Sequence, residues 1–460
     1  MIRSSVPDPA CRLELRARRS RALVRSILTI VVLLSPPSGV LAQLGGTEFW
    51  FDGPEAVQPG SDREDPDVAV DGMRRTIVAW QANSNGQDVY VRRFDEIGAP
   101  LEDPILVNTT IENSQRFPSV AAAADGSFVV VWVNRVDIPP DRGVANYSIR
   151  SRHFGSDGLP TASEQIVNQL DPTFGGGSHL PDVAALTGGG FVVVWRSSTT
   201  NGDDSSTSIQ GRLLNASGTP VGTQFQVNTT TDGLQSSPNV DGLPAVDPDG
   251  DYDGGFVVAW NRPGVHVRRF RADGTSGEND LQIDIDNDGE RTDMAVAQHT
   301  GQVAVAWYFN DAVRTRLLDS NLSFVSGQLM ASAVSDTTAD HPTISDVGLD
   351  GFYLAWDSST GPTGTDASGD SIQARILQVD GTFEGPQFQV NTWIMNNQQQ
   401  PALGSSDGRL GIAWRSAGNP VPGANLADDH IIGYLLNYCD GIFCDDFESG
   451  DTTAWSTSVP

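Results

Sequence analysis

Short apolar runs alternate with polar turns along most of the chain, and one kind of run recurs. A five-residue, mainly apolar run that ends in tryptophan occurs seven times, and the spacing from Trp80 to Trp414 averages about 56 residues per repeat. The seven runs are Thr76–Trp80, Phe128–Trp132, Phe191–Trp195, Phe256–Trp260, Val303–Trp307, Phe352–Trp356 and Leu410–Trp414. A fixed period of this length is typical of propellers and related repeat proteins.

Each repeat contains three further segments that look like strands. A proline followed by a polar and an apolar residue opens the repeat, as in Pro66-Asp67-Val68. After the tryptophan run come a basic residue two positions before an apolar one, as in Arg92 and Phe94, and a Val-Asn pair, as in Val107-Asn108. Turn dipeptides such as Asp-Gly separate the segments, and no sustained helical period is present. The pattern predicts four short antiparallel strands in every repeat.

Seven four-stranded repeats predict an all-β fold, a seven-bladed β-propeller of antiparallel blades spanning residues 43–437. The chain begins with a piece resembling a fourth strand, residues 49–57, and its last repeat stops after a third, residues 431–437. We therefore expect the N-terminal strand to complete the last blade and close the ring. An array of about four β-sandwich domains is the structural alternative.

The first 42 residues have the pattern of a secretory signal peptide. Several arginines precede the apolar run Ile27–Leu34, and Val40-Leu41-Ala42 provides small residues for cleavage near Ala42. The apolar run is too short to span a bilayer. The protein is thus expected to be secreted or on the cell surface. In such a chain Cys439 and Cys444 are expected to form a disulfide in the C-terminal tail, residues 438–460.

The charge of the chain limits its partners. The formal net charge is −29, and all 29 basic residues are arginine. Residues 1–42 carry seven arginines and two acidic residues, so the remainder has a charge of −34. So acidic a surface is unsuited to nucleic acid or anionic membranes. We expect a monomer with an extracellular ligand, either protein or glycan.

The repeats resemble those of secreted bacterial propeller-type proteins. The shared units read GGFVVVW, I-x-x-R-x-F and FQVN-x₆-Q-x₂-P, over about residues 49–437, and the linker Asn108–Pro118 matches the last unit fully. The tail Cys444–Trp455 resembles a D-x-FESGD-x₃-W segment found at the ends of exported bacterial proteins. The resemblance implies an exported, often calcium-associated surface protein, whose repeats form a scaffold without a catalytic signature.

Two acidic loops contain the pattern D-x-D-x-D-G, whose carboxylates can converge on one hard cation where glycine permits a sharp turn. The expected calcium ligands are Asp249, Asp251 and Asp253 in the first loop and Asp284, Asp286 and Asp288 in the second. Neither loop has glutamate at the twelfth position, which excludes an EF-hand. Solvated acidic turns are the alternative interpretation.

One face of the predicted propeller is the candidate binding surface. Antiparallel alternation places the variable second-to-third strand loops and the fourth-to-first connections on the same face. Near the axis this face holds polar residues that follow the first-strand proline. These are Asp67, Asp182, Asn239 and Asp293, with Ser119 and Thr343 at the same place in two other repeats. The same residues could instead close turns at strand starts.

The sequence has no zinc-ligand spacing and no strand-to-helix nucleophile turn. The repeated Trp and Arg residues are expected to pack and pair between blades. A binding or surface-interaction module is therefore the main functional hypothesis. A carbohydrate-active enzyme, either glycoside hydrolase or lyase, is the alternative, using carboxylates on the candidate face. These include Asp203, Asp204, Asp357, Asp366 and Asp370.

Calcium binding is the first testable prediction. Since the carboxylates within each acidic loop repel one another without a cation, calcium should bind the folded state and raise the unfolding temperature with its concentration. Calorimetry at millimolar calcium, with a chelator-treated control, measures this. Absence of both heat and stabilisation would leave the loops as ordinary acidic turns.

Overall fold

Twenty-eight strands make up the regular structure, and the described residues contain no α-helix. The computed structural model describes residues 48–53, 62–83, 86–112, 114–137, 145–169, 178–198, 207–245, 254–286, 288–333, 338–348, 351–359, 369–406, 408–418 and 429–437. They all belong to the second of two units into which the chain divides, residues 41–460. The expected signal peptide, Cys439 and Cys444 lie outside the described residues.

The strands form seven antiparallel groups of four, as the repeats predict. Five groups are separate four-stranded sheets. The other two are halves of one eight-stranded sheet, joined by a single parallel bridge between Gln87 and Ser114. The seven groups are called blades 1 to 7 in chain order.

Each blade uses its strands in order from the axis outward. The first strands are β2 (Arg63–Val70), β6 (Ser114–Ala122), β10 (Ser178–Ala185), β14 (Ser236–Gly242), β18 (Glu290–Val296), β22 (Asp340–Asp346) and β26 (Gln398–Ser406). The second strands are β3 (Thr76–Asn83), β7 (Phe128–Asp137), β11 (Phe191–Ser197), β15 (Phe256–Asn261), β19 (Val303–Phe309), β23 (Phe352–Ser358) and β27 (Arg409–Ala417). The third strands are β4 (Gln87–Phe94), β8 (Ala145–Phe154), β12 (Ser208–Leu214), β16 (Val265–Phe270), β20 (Ala312–Leu318), β24 (Ser371–Leu377) and β28 (Asp429–Asn437). The outer strands are β5 (Ile105–Leu106), β9 (Gln165–Ile166), β13 (Pro220–Gln226), β17 (Leu281–Gln282), β21 (Leu329–Met330), β25 (Phe383–Gln389) and, in blade 7, β1 (Phe49–Trp50).

The first strands form a closed ring. Each packs against the first strands of both neighbouring blades, and β26 of blade 7 packs against β2 of blade 1. A channel of about 1010 Å³ runs between them. The fold is therefore a β-propeller, and the array of β-sandwich domains is excluded.

The N-terminal strand closes the ring as expected. In β1, Phe49 pairs with Gly433 and Trp50 with Ile432, antiparallel to β28. The Phe51 amide extends this pairing with a 2.9 Å hydrogen bond to the carbonyl of Ile431. The first and last parts of the chain thus share blade 7. Residues 54–57 of the expected strand lie outside the described residues.

The repeated tryptophans pack between blades. All seven are at most 1% exposed. Trp132 of blade 2, for example, lies in an apolar cluster with Ile77 and Val91 of blade 1. Indole rings at this position therefore supply apolar area that neighbouring blades bury together, as the sequence indicates.

The repeated arginines join successive blades. In six blades the third-strand guanidinium group donates to a backbone carbonyl just after the outer strand of the preceding blade. The pairs are Arg152 with Val107 (2.7 Å), Arg212 with Val167 (2.7 Å), Arg268 with Val227 (2.5 Å), Arg316 with Ile283 (2.6 Å), Arg375 with Ala331 (3.2 Å) and Arg92 with Phe51 (3.3 Å). The last pair joins blade 1 to the N-terminal strand. The structural role expected for these arginines is confirmed.

The first strands differ from expectation in where they begin. The sequence suggests that each opens at its proline, but the strands begin two to four residues earlier and continue past an irregularity in the pairing. In blade 1 the register shifts between Glu64 and Asp67, and the same shift occurs in every blade. A β-bulge at the proline accounts for the difference.

Among the described residues, no helix is long and apolar enough to cross a membrane.

Removing one buried ring from the closing strand should destabilise the whole propeller. Phe51 is fully buried and meets Phe94 edge-on at 5.1 Å. Phe51→Ala should lower the free energy of unfolding by about 3–5 kcal/mol, since it leaves a cavity where the ring closes. Urea denaturation measures the loss. Ile97→Ala, at a side chain 84% exposed, is the control, and equal midpoints for the two variants would contradict the closure role.

Candidate functional site

The seven bulges meet at one end of the channel, where they enclose a cavity of about 320 Å³ that we call the axial funnel. Its wall comes from the bulge segments of all seven blades. The lining segments are 65–67, 117–119, 180–182, 237–239, 291–292, 341–342 and 400–401. Because first strands begin on this face, it is the face with the second-to-third strand loops. The funnel therefore lies on the face that the sequence predicts for ligand binding.

Every bulge holds a residue other than glycine in the left-handed backbone region. The seven residues and their φ angles are Asp65 (49°), Phe117 (51°), Leu180 (51°), Ser237 (47°), Arg291 (48°), His341 (46°) and Gln400 (55°). Each such residue costs on the order of 1–3 kcal/mol and persists only where the surrounding structure enforces it. The strain is repeated around the funnel, and it sets the side chains of these seven positions at its wall.

The funnel wall is chemically divided. Blades 2 and 3 contribute Phe117 and Leu180, which with the neighbouring prolines make an apolar side. Blades 5, 6, 7 and 1 contribute Arg291, His341, Gln400 and Asp65 in succession. A ligand in the funnel would thus meet apolar surface on one side and hydrogen-bonding groups on the other.

On the polar side, His341 is held by a buried carboxylate. Its Nδ1 lies 2.8 Å from Oδ2 of Asp357, whose side chain is only 5% exposed. Arg291 Nη1 lies 2.8 Å from His341 Nε2 and 2.5 Å from Asp340 Oδ2. Since an arginine N–H can only donate, Nδ1 carries the proton and Nε2 holds the lone pair. Burial alone would lower the pKa of His341, but the hydrogen bond and charge of Asp357 outweigh it and raise this pKa.

Asp65 is a carboxyl group that holds its proton unusually well. Burial, then repulsion from Glu64, raises its pKa to about 6, although His341, Arg415 and Gln400 act in the opposite direction. Its Oδ1 accepts a 2.8 Å hydrogen bond from Nε2 of Gln400. A carboxyl with a pKa near 6 can donate a proton in mildly acidic solution.

Gln400 also contacts Asp357. Its backbone N–H donates to Asp357 Oδ2 at 2.9 Å, while its side chain binds Asp65. One residue thus links the acid of blade 1 to the carboxylate that holds His341. The polar side of the funnel is therefore a connected arrangement of a proton donor and a proton acceptor.

The polar residues predicted at the ligand face line the funnel or the channel below it, and their carboxylates hold neighbouring blades. Asp67, Asp182 and Asp293 each accept a hydrogen bond from a backbone N–H of the next first strand. The pairs are Asp67 with Val120 (2.7 Å), Asp182 with Val240 (2.7 Å) and Asp293 with Ile344 (2.9 Å). Asn239 lies in the funnel wall. The three aspartates thus have a structural role, since they hold neighbouring blades together whatever ligand the face binds.

Burial raises the pKa of these carboxyls. The pKa of Asp182 is raised to about 8, first by burial and then by the charge of Asp67. That of Asp67 is raised to about 6, and burial also raises that of Asp293. Asp241, which binds the Val296 amide lower in the channel, has a pKa of about 7 for the same reason. The inner ring therefore carries less negative charge than its composition implies.

The second predicted calcium loop contacts protein groups. Asp284 Oδ1 accepts a 2.9 Å hydrogen bond from the backbone N–H of Val265. The equivalent bond in blade 1 runs from the N–H of Val89 to Oδ1 of Asn108. Asp286 Oδ2 binds Arg314 and Gln328 Nε2, and the Asp288 amide donates to Asp284. Within the described part of the chain, no three acidic, histidine or cysteine side chains are grouped to hold a metal. Calcium in this loop stays a prediction, and Asp249, Asp251 and Asp253 lie outside the described residues.

Among the carboxylates named for the enzyme hypothesis, Asp357 lies beside the funnel, and Asp370 accepts a hydrogen bond from Gln399. Asp203, Asp204 and Asp366 lie outside the described residues. Four residues of the funnel wall, Asp65, Arg291, His341 and Gln400, are not among the residues that the sequence patterns predict. A signal was present, because the position before the first-strand proline is apolar in two repeats and charged or polar in the others.

Comparisons with solved structures find several chains to which this one is similar. The chain is similar to a crystal structure of a protein of unknown function from Dyadobacter fermentans, with 10% identity, a TM-score of 0.50 and coverage of 85% of this chain and 98% of that one. It is also similar to a Hadza microbial sialidase, with 13% identity, a TM-score of 0.45 and coverage of 78% and 73%. A third is an α-L-arabinanase from Penicillium chrysogenum complexed with arabinobiose, with 11% identity, a TM-score of 0.45 and coverage of 85% and 99%.

At these identities the likeness concerns the fold and says nothing of the activity of this chain. No protein-family model matches the sequence, and the search of curated proteins finds no match. The resemblance of the repeats and the tail to secreted bacterial propeller proteins therefore stays a prediction.

The raised pKa of Asp182 makes stability depend on pH. The folded-state pKa of about 8 exceeds the ordinary value for aspartate. The stability that Asp182 contributes is therefore fully present below about pH 4 and is lost as pH rises towards 8. Asp182→Asn cannot ionise. Its unfolding temperature relative to wild type should therefore be about 5 °C more favourable at pH 9 than at pH 5.

Thermal unfolding at the two pH values checks this. Asp273→Asn is the control, because Asp273 lies in an exposed turn and its pKa is lowered, so its effect should not change over this range. An Asp182→Asn difference that is independent of pH would contradict the burial argument.

Proposed function

We propose that this protein is an exported carbohydrate-active enzyme that hydrolyses glycosidic bonds in the axial funnel. The observation that carries the proposal is the placement of Asp65, with a pKa of about 6, and the His341–Asp357 pair on one side of a cavity. An acid and a base with environments this different are the requirement for acid–base catalysis near neutral pH. Export through the segment 1–42 and calcium in the acidic loops remain parts of the proposal.

The residues would divide the reaction as follows. Asp65 donates its proton to the glycosidic oxygen while the bond from that oxygen to the anomeric carbon breaks. His341 Nε2 exchanges its hydrogen bond from Arg291 for one from the attacking water, and accepts a proton from that water as the water oxygen forms the new bond to the anomeric carbon. Asp357 orients the imidazole through its Nδ1 and stabilises the positive charge that forms on it, as the carboxylate of a His–Asp pair does. Proton transfer back through solvent restores both groups.

The divided funnel wall supports a sugar as the substrate. A pyranose ring presents C–H groups on its faces and hydroxyl groups at its edge, which matches an apolar side at Phe117 and Leu180 opposite a polar side. The three carboxyl groups of the funnel lining have raised pKa values and face one guanidinium group, so the lining carries little net charge near neutral pH. Uncharged glycans are therefore favoured over acidic ones.

A binding module without catalysis is the hypothesis that the sequence alone favours. We place it second, since binding needs neither a proton donor with a raised pKa nor a histidine held in one tautomer. The two functions use the same funnel. One experiment separates them.

That experiment combines a glycan array with a hydrolysis screen on uncharged oligosaccharides at about pH 6. Wild type should bind and cleave a common set of glycans. Asp65→Asn and His341→Gln should each lower kcat by about 10²-fold or more while affinity changes little, because each removes a proton-transfer group. Asp273→Asn serves as the control, since its side chain lies in an exposed turn outside the funnel.

Binding without cleavage by wild type would replace the enzyme with a binding module. Cleavage that survives in Asp65→Asn would remove Asp65 as the acid. If wild type neither binds nor cleaves any glycan, the carbohydrate proposal is wrong.

A further inference from the structure

Gln400 occupies a singular position in the funnel, because it is bonded to both sides of the proposed proton-transfer system. Its Nε2 donates to Asp65 Oδ1 at 2.8 Å, and its Oε1 accepts the Asp65 amide at 3.2 Å. Its own amide donates to Asp357 Oδ2 at 2.9 Å. Two of these bonds come from the side chain and one from the backbone.

The conformation of Gln400 makes this double contact possible. Its φ of 55° is the largest among the seven bulge residues. Glutamine has no special tolerance of this region, so the surrounding bonds must hold it there. The backbone bond to Asp357 has a counterpart in blade 2, where the Phe117 amide donates to Gln81 at 3.1 Å. The side-chain pair with Asp65 has no counterpart at Phe117, whose side chain is apolar.

The hydrogen bond from Gln400 affects the ionisation of Asp65, as do the charged groups around it. Glu64 from its own strand disfavours the ionised form, whereas His341 from β22, Arg415 from β27 and Gln400 from β26 favour it. An amide N–H that donates to a carboxylate stabilises the charged form. The Gln400 bond thus opposes the effect of burial on Asp65.

We propose that Gln400 is a positioning residue that orients Asp65 and sets the pH at which Asp65 releases its proton. Its side chain fixes one carboxyl oxygen of Asp65, which leaves the other oxygen to carry the proton into the funnel. Its backbone keeps Asp357, and through it His341, in place independently of the side chain. As a role in catalysis this rests on the proposed function; as a statement about Asp65 it does not.

The two bonding modes can be separated by substitution. Gln400→Met keeps the length of the side chain and removes its Nε2 donor and its Oε1 acceptor. The hydrogen bond from the backbone N–H to Asp357 remains. Gln400→Glu keeps an acceptor for the Asp65 amide, removes the donor and adds a negative charge. The Asp65 titration midpoint should therefore rise by about one pH unit in Gln400→Met and further in Gln400→Glu. Because the charges of Asp65 and His341 act on each other, the His341 midpoint should move in Gln400→Met, but by less than the Asp65 midpoint.

The measurement is carboxyl-carbon NMR of the full chain with ¹³C-labelled aspartate, the Asp65 signal being assigned by its loss in Asp65→Asn. Gln302→Met is the matched control, because Gln302 is also half-buried and donates to the carbonyl of Val379 away from the funnel. Where a glycan is cleaved, the ascending limb of the kcat/KM profile should move to higher pH with the Asp65 midpoint, because the pKa of Asp65 lies below the raised pKa of His341.

An Asp65 midpoint that is unchanged in Gln400→Met and Gln400→Glu would overturn the inference. Midpoints that move while no glycan is cleaved would leave it standing and refute the proposed function instead. A His341 midpoint that moves as far as that of Asp65, or further, in Gln400→Met would show a general rearrangement and would also overturn it.

Discussion

The inner edge of each sheet is the constraint on which the rest of this structure depends. Apart from the single bridge of β6 to β4, a first strand pairs with a strand on one side only, so N–H groups along its inner edge need partners other than a strand. Carboxylates from the neighbouring blade satisfy this edge, as Asp67 does for Val120 and Asp182 for Val240. The ring is thus closed by polar bonds at its centre as well as by apolar packing between the sheets. Acidic side chains must therefore lie close together around the axis.

This arrangement explains the unusual acid–base properties of the centre. Carboxyls that hold neighbouring strands are removed from bulk water and lie near one another, so their pKa values rise. Partial protonation limits their mutual repulsion. Asp65 lies two residues before Asp67 in β2 and shares that environment. The proton donor of the proposed site is therefore a consequence of how the ring is built.

The fold could be predicted because its determinants are repeated. Seven tryptophan runs and the arginines after them each mark a contact between blades that recurs, so the sequence predicts a propeller of repeated blades. The strand-like segment 49–57 predicts the closure of the ring, and its residues 49–50 pair with β28. The bulges could not be foreseen. The residue before a proline is normally extended, and the left-handed conformation of Asp65 or His341 follows from the packing of seven first strands rather than from local preference.

The same reasoning explains why the sequence patterns point to the aspartates next to the bulge residues rather than to the bulge residues themselves. Asp67, Asp182 and Asp293 recur at equal places, and recurrence in a repeat protein indicates scaffold; function lies where the repeats differ. In the bulges, backbone conformation is constant while side chains change from Phe117 to His341 and Gln400. Because the ring enforces the same strained geometry in each blade, a change of side chain there alters the funnel without altering the fold. The scaffold thus supplies seven equivalent positions around one cavity, and four consecutive ones hold Arg291, His341, Gln400 and Asp65, among them both groups of the proposed proton transfer.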